Sequence, residues 1–186
     1  MKATIISLTA LALGALALHS TAQEPADEPQ LPYNAAPASS PVAEALAKLT
    51  TFNGTPAADA KYYIYLESAS WCPPCRAEMP HIAKAYNDMK ANGVELVLIG
   101  RDGSSAQAEK YLTTFKATFP GVFGPDAEKA ELPGFTAANY VPHAIIVDAQ
   151  GNVLANGHGS LSLKWKEIIE AHSKKYEVRS TNDEQE

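Results

Sequence analysis

The sequence predicts an α/β fold: a three-layer sandwich in which a central mixed β-sheet is flanked by helices. Three observations predict it. The composition is globular, with 46% hydrophobic and 19% charged residues over 186 positions, both ordinary shares for a folded domain. Short β-branched or aromatic runs alternate with stretches of helical period. Near the end, two apolar runs lie close enough to form a hairpin, and a capped helical stretch closes the pattern.

The chain opens on Lys2, a 14-residue apolar run from Ile5 to Leu18, and small residues at Ser20 and Ala22. This is the layout of an export leader over residues 1–22, cut between Ala22 and Gln23. The apolar run is shorter than the roughly 20 residues that a membrane span needs, so no stable membrane insertion is expected after cleavage. No cysteine lies near the cut, which excludes a lipid anchor there. Export places the chain in an oxidising compartment, the periplasm or the cell exterior. Residues 23–54 read as a Pro/Ala-rich linker, a tether or crossing segment without its own core, carrying a short helix over Val42 to Leu49. Asn53-Gly54-Thr55 fits the glycosylation acceptor pattern.

The domain is expected over residues 55–176. "KYYIYL" (Lys61 to Leu66) is aromatic and β-branched, hence a strand. A helix runs from about Pro73 to Ala91. "VELVLIG" (Val94 to Gly100) is nearly all apolar, as a strand buried on both faces must be. Ser105 to Phe115 has helical spacing, with Ala108, Leu112 and Phe115 along one side. The looser stretch "PGVFGPDAEKAELPGF" holds a short strand and a helical turn. "HAIIVD" (His143 to Asp148) and "NVLANG" (Asn152 to Gly157) are strands joined by "AQG". Ser162 caps a last helix to about Tyr176, and residues 177–186 form a polar tail. Strands joined through helices run parallel and a hairpin pairs antiparallel, so the sheet is mixed. The formal charge is -6. Loss of the leader removes Lys2 and leaves 14 basic against 21 acidic residues, or -7. That balance argues against nucleic acid as a partner.

Both cysteines of the chain, Cys72 and Cys75, stand in "SASWCPPCRAEMP" at the junction of a strand and a helix. The nucleophilic form of cysteine is the thiolate, and a free thiol with a pKa of about 8.5 is only slightly ionised at neutral pH. Cys72 at a helix N-terminus faces the positive end of the helix dipole, which favours the anion. Pro73 and Pro74 suit the first turn, where backbone N–H groups have no helical partners. They also remove two donors, so the amide of Cys75 is the first one available to the Cys72 sulfur.

This stretch resembles the active site of the thioredoxin-like superfamily, and in its wider form that of the exported TlpA/ResA/CcmG-like thiol-disulfide oxidoreductases. The likeness covers roughly Thr55 to Tyr176. It rests on Trp71 before the first cysteine, the CxxC spacing, Pro80 five residues after Cys75, and Val141-Pro142 opening a strand about 70 residues later. The resemblance implies a thioredoxin-like fold and a dithiol–disulfide cycle, with an exposed Cys72 attacking and a more buried Cys75 resolving. It implies a cis bond before Pro142, with the Val141 backbone offered to an extended client. Glu78, three residues after Cys75 on the same helix face, matches a glutamate that relays the Cys75 proton. Trp71 forms a rim over the sulfurs. The partners implied are exported client proteins with thiols or disulfides, apocytochromes c among them, and a membrane thiol electron donor. No cofactor or metal is implied, because the cysteine pair itself carries two electrons. One departure stands out: the buried aspartate of cytoplasmic thioredoxins, six residues before the first cysteine, is here Leu66. Neighbouring Glu67 substitutes for it only if strand alternation does not turn it to the other face. Arg76 adds positive potential near the thiols or is a surface residue. His143 reads as a satisfied strand histidine, and His158 as a turn residue.

Other chemistries fit less well. Zinc needs four ligands, and the histidines at 19, 81, 143, 158 and 172 show no such spacing. Covalent haem requires a histidine where Arg76 stands. A disulfide closing so short a loop adds little stability. A peroxidase of related fold expects threonine or serine at Ala69. Oxidase or isomerase work by the same pair, and a non-catalytic binding module, stay open.

Overall fold

The computed structural model describes residues 40–183; the leader, most of the Pro/Ala-rich segment and residues 184–186 lie outside the described residues. The elements, in chain order, are α1 (Pro41–Leu46), β1 (Thr51–Phe52), β2 (Tyr62–Ser68), α2 (Pro73–Ala91), β3 (Val94–Gly100), α3 (Ser105–Thr114), β4 (Gly121–Phe123), α4 (Gly124–Lys129), β5 (His143–Asp148) and β6 (Val153–His158). A 3₁₀ helix, Gly159–Lys164, leads into α5, Trp165–Asp183.

The six strands form one sheet in the order β1-β4-β3-β2-β5-β6. β2 and β3 are parallel, joined through α2, and β4 extends the parallel set. β5 pairs antiparallel with both β2 and β6. The mixed sheet expected from the sequence is therefore present. Every residue of β3 is buried, Glu95 included, as its nearly all-apolar run requires. Strand alternation sorts the core into two layers. Ile64, Leu66, Leu96 and Leu98 face α2, α3 and α5, and both cysteines lie in this layer. Tyr63, Tyr65, Val97, Ile99, Ile145 and Val147 face α1 and α4.

Two boundaries differ from the sequence expectation. The domain begins before residue 55. Val42 and Leu46 of α1 are fully buried in the second layer. Ser40 caps α1 through Ala43 N–H and donates its hydroxyl to Ala149 O at 3.0 Å. β1 then joins the sheet edge against β4. The short helix expected over Val42 to Leu49 is thus present as α1, but so short a helix and a two-residue strand do not show from sequence that they pack into the domain. Asn53, with φ at 58°, donates its side-chain amide to Ala117 O and Phe119 O at 3.0 and 2.8 Å. The nitrogen that a glycan would need is thus engaged in joining β1 to the α3–β4 connection. At the other end, Ser162 lies within the 3₁₀ turn, buried and bonded to Gly159 O. α5 proper starts at Trp165 and continues to Asp183, so residues 177–183 are helix rather than tail.

The placement of α1 has a measurable consequence. Leu46→Ala removes a side chain that is 1% exposed and is expected to cost about 2–5 kcal/mol of unfolding free energy. Urea denaturation followed by circular dichroism checks this; a midpoint equal to the parent's would show that α1 is an appendage.

Candidate active site

The site is assembled where β2 ends and β5 begins. After β2, residues 69–71 turn the chain into α2. Cys72 is the N-cap, in extended conformation, and its sulfur accepts the Cys75 N–H at 3.3 Å. Pro73 and Pro74 occupy the first helical turn. The donor left to the sulfur after the two prolines is the one expected. Cys72 and Cys75 are disulfide-bonded, with Cα atoms 5.3 Å apart.

The turn is fixed by a buried aspartate. Asp102 Oδ1 accepts from Ser70 N–H at 3.1 Å and from Ser70 Oγ–H at 2.5 Å. Arg101 N–H donates to Ser68 O at 2.9 Å, and the Trp71 indole N–H donates to Arg101 O at 3.3 Å. Arg76 donates to Ser70 O at 3.3 Å and stacks over the Phe115 ring, so its charge stays beside the turn. Sequence reasoning missed Asp102. Its "RDGS" context reads as an ordinary turn, and nothing local ties it to residue 70.

Val141-Pro142 is the opposing wall. The bond is cis, and Val141 O lies 3.6 Å from Cys72 Sγ, within reach of the thiol hydrogen in the reduced pair. Cys72 departs from expectation: it is only 3% exposed, against 1% for Cys75. The Val141 carbonyl and the Ala69–Trp71 turn close over it. The exposed surface around it belongs to its neighbours. Trp71 is 65% and Tyr140 50% exposed, and Pro73 and Pro74 are exposed as well. Trp71 is therefore a rim residue, held by its indole N–H.

Glu78, one turn beyond Cys75, is partly buried, and its Oε2 has no hydrogen-bond partner among the described residues. His158 Nδ1 stands 3.6 Å from Glu78 Oε1 and also accepts from Ser160 N–H at 3.2 Å. His158 thus caps the 3₁₀ turn and looks toward α2, a role its place in "GHG" did not reveal. Gly159 N–H donates to Pro142 O at 3.0 Å. A Cβ on Gly159 would lie 2.5 Å from Pro142 Cβ and 3.0 Å from Glu78 Oε2. Glycine is required here by close approach, and Glu78, Pro142 and Gly159 converge behind the cysteine pair. Tyr111 meets Ser68 Oγ at 3.2 Å. Burial pushes its phenol up to about 12, so it is a neutral partner rather than a proton carrier at neutral pH.

Glu67 is fully buried in β2 on the sheet face opposite the cysteines, paired with Arg101 and His143. Alternation does turn it away, and Leu66 lies on the cysteine side. His143 is 3% exposed with both ring nitrogens partnered, the satisfied strand histidine that was expected. Among the described residues no three His, Cys, Asp or Glu side chains converge as a metal site would need.

The fit around Gly159 yields a test. Gly159→Ala is expected to displace the Pro142 wall and to lower the second-order rate of disulfide exchange with a protein disulfide by about tenfold or more. Stopped-flow exchange kinetics on the folded variant measure this, and an unchanged rate would show that the wall is tolerant.

Known proteins match this chain over the same region. A family model described as thioredoxin-like covers residues 59–153. The thiol-disulfide oxidoreductase ResA of Oceanobacillus iheyensis is 28% identical over 95 residues, 51% of this chain and 48% of that protein. ResA of Geobacillus kaustophilus is 30% identical over 103 residues, 55% of this chain and 56% of that protein. The chain thus spans about half the length of the curated relatives it matches. A solved structure of a thioredoxin-family thiol:disulfide interchange protein from Chlorobium tepidum is 26% identical, with a TM-score of 0.49, over 60% of this chain and 79% of that one. The family match runs from the approach to β2 through the β5–β6 turn and takes in the cysteine turn and the proline wall together; on that extent, about half of the sequence, the chain belongs to the thioredoxin-like family.

Proposed function

We propose that the protein is an exported thiol-disulfide oxidoreductase that reduces disulfides in exported client proteins through a Cys72/Cys75 dithiol–disulfide cycle. The observation that carries this reading is the Cys72 sulfur at the tip of α2. It accepts the Cys75 amide at 3.3 Å and lies 3.6 Å from Val141 O. The amide and the helix dipole both favour negative charge on that sulfur. The family match and the ResA relatives, named for thiol-disulfide oxidoreduction, support the same chemistry.

The cycle starts from the dithiol. Cys72 thiolate attacks one sulfur of a client disulfide, a mixed disulfide forms, and the other client sulfur leaves as thiolate. Cys75 gives up its proton and attacks Cys72 Sγ. The second client sulfur leaves and is protonated, and the Cys72–Cys75 disulfide forms. Two electrons have passed to the client. A thiol donor in the membrane returns two electrons to the pair. Glu78, with an unpartnered oxygen one turn below Cys75, receives the Cys75 proton and hands it on. Val141 and Pro142 bind the client backbone in extended form, with Trp71 as rim. The leader-like residues 1–22 support export to the periplasm or beyond. No group besides the cysteine pair is needed to hold the electrons.

Three variants separate the roles. Cys72→Ser is expected to reduce insulin disulfide turnover to the uncatalysed background, and Cys75→Ser to accumulate a mixed disulfide detectable by mass spectrometry. Glu78→Gln is expected to leave alkylation of Cys72 unchanged while slowing resolution of that adduct by about 10²-fold. Retained turnover in Cys72→Ser would sink the reading. Direction is decided by the reduction potential: a value near the roughly -270 mV of a reductant supports it, and one near the roughly -120 mV of a strong oxidant replaces it with oxidase work.

A further inference from the structure

The far face of the sheet holds a buried polar cluster centred on Glu67. This residue lies in β2 five positions before Cys72, and its side chain is fully buried. Its Oε1 accepts from Ala138 N–H at 2.8 Å and lies 3.0 Å from His143 Nδ1. Oε2 accepts from Arg101 Nη1–H at 2.9 Å. Arg101 also reaches Glu128 Oε1 at 2.7 Å, and His143 Nε2 lies 2.7 Å from Asn156 Oδ1. Glu67 and His143 are direct register partners across β2 and β5.

Stability alone does not account for a carboxylate here. A buried ion pair replaced by well-packed apolar residues is often neutral or more stable. What a carboxylate does, and a leucine cannot, is fix donors from separate segments at set distances. One oxygen grips Ala138 and His143, the two residues that bracket 139–142. That segment carries Tyr140, Val141 and Pro142, and its Val141 carbonyl lies 3.6 Å from Cys72 Sγ. The other oxygen holds the side chain of Arg101, whose backbone carbonyl takes the Trp71 indole N–H, and Trp71 is the exposed residue directly before Cys72. Both walls are therefore referred to a single group that touches neither sulfur.

We infer that Glu67 is a positioning residue for client binding: from behind the sheet it holds residues 139–142 and, through Arg101, Trp71 at a set distance from Cys72. It thereby governs affinity for extended polypeptide disulfides rather than the reactivity of the thiol. This rests on the reading that the Val141-Pro142 wall binds client backbone.

The test compares a disulfide-bridged peptide of about ten residues with 5,5′-dithiobis(2-nitrobenzoate), which has no polypeptide backbone for Val141 to bind. The full chain is used as E67Q and as the double variant E67M/H143L. The double variant removes both buried partners together, and Arg101 keeps Glu128. In each, KM for the peptide is expected to rise about tenfold, with kcat, the rate with the small disulfide and alkylation of Cys72 within about twofold of the parent. Amide hydrogen exchange at residue 138 is expected to quicken. Peptide and small-disulfide rates falling in parallel, or an unchanged KM in a folded variant, would overturn the proposal. An unfolded double variant would also overturn it, by assigning the cluster to stability. A parent protein that reduces the small disulfide but not the peptide would remove the client-binding reading itself, a result read before any variant is made.

Discussion

The antiparallel pairing of β2 with β5 is the constraint on which the site depends. Antiparallel neighbours bring the end of one strand beside the start of the other. β2 delivers the cysteine turn at its end, and β5 begins directly after Pro142. The two walls meet because Glu67 stands opposite His143 in the register, not because their residues are near in sequence. β3, parallel to β2 on its other side, adds Arg101 and Asp102 just past its own end. Three strand ends thus supply the turn, the wall and the groups that hold them. A one-residue slip of β5 would turn His143 toward the cysteine face and carry Pro142 out of line.

The two sheet faces divide the labour. On the cysteine face the neighbours are Ile64, Leu66, Met79 and Ile82, an apolar setting that penalises any charge it does not solvate. The Cys75 amide and the end of α2 supply that solvation locally. The opposite face carries the ion pair of Glu67 and Arg101, closed at 2.9 Å. The thickness of the sheet thus lies between Glu67 and the cysteine pair, whereas Glu78 and Asp102 approach the pair from its own side.

What was legible in the sequence was local. The helix N-cap position of Cys72, the prolines in the first turn and the Cys75 amide follow from rules that span a few residues, and all are seen in the structure. The mixed sheet, parallel across the helical connection and antiparallel at the hairpin, follows from periodicity and connection length; the strand order was not read from the sequence. The depth of Cys72 was not legible, because it is set by Val141 from β5's approach. Asp102, Gly159 and the Glu67–Arg101–His143 cluster escaped for the same reason: each acts on a partner more than 15 positions away. The helix expected over Val42 to Leu49 is present as α1, but its place in the core and the strand β1 escaped for another reason. Six residues and two residues are too few to show a period, and burial of Val42 and Leu46 is a tertiary fact.

Ser40 is held at Ala149 O, directly after β5. β5 starts at the proline wall and spans six residues, so this attachment lies about 20 Å from the cysteines, at the opposite pole of the sheet. Whatever precedes Ser40 therefore joins the domain on its blind side. The end of the sheet that bears Ser40 and Ala149 is thus the base of the domain, and the end that bears the cysteine turn is its crown, with Trp71 and Tyr140 laid bare.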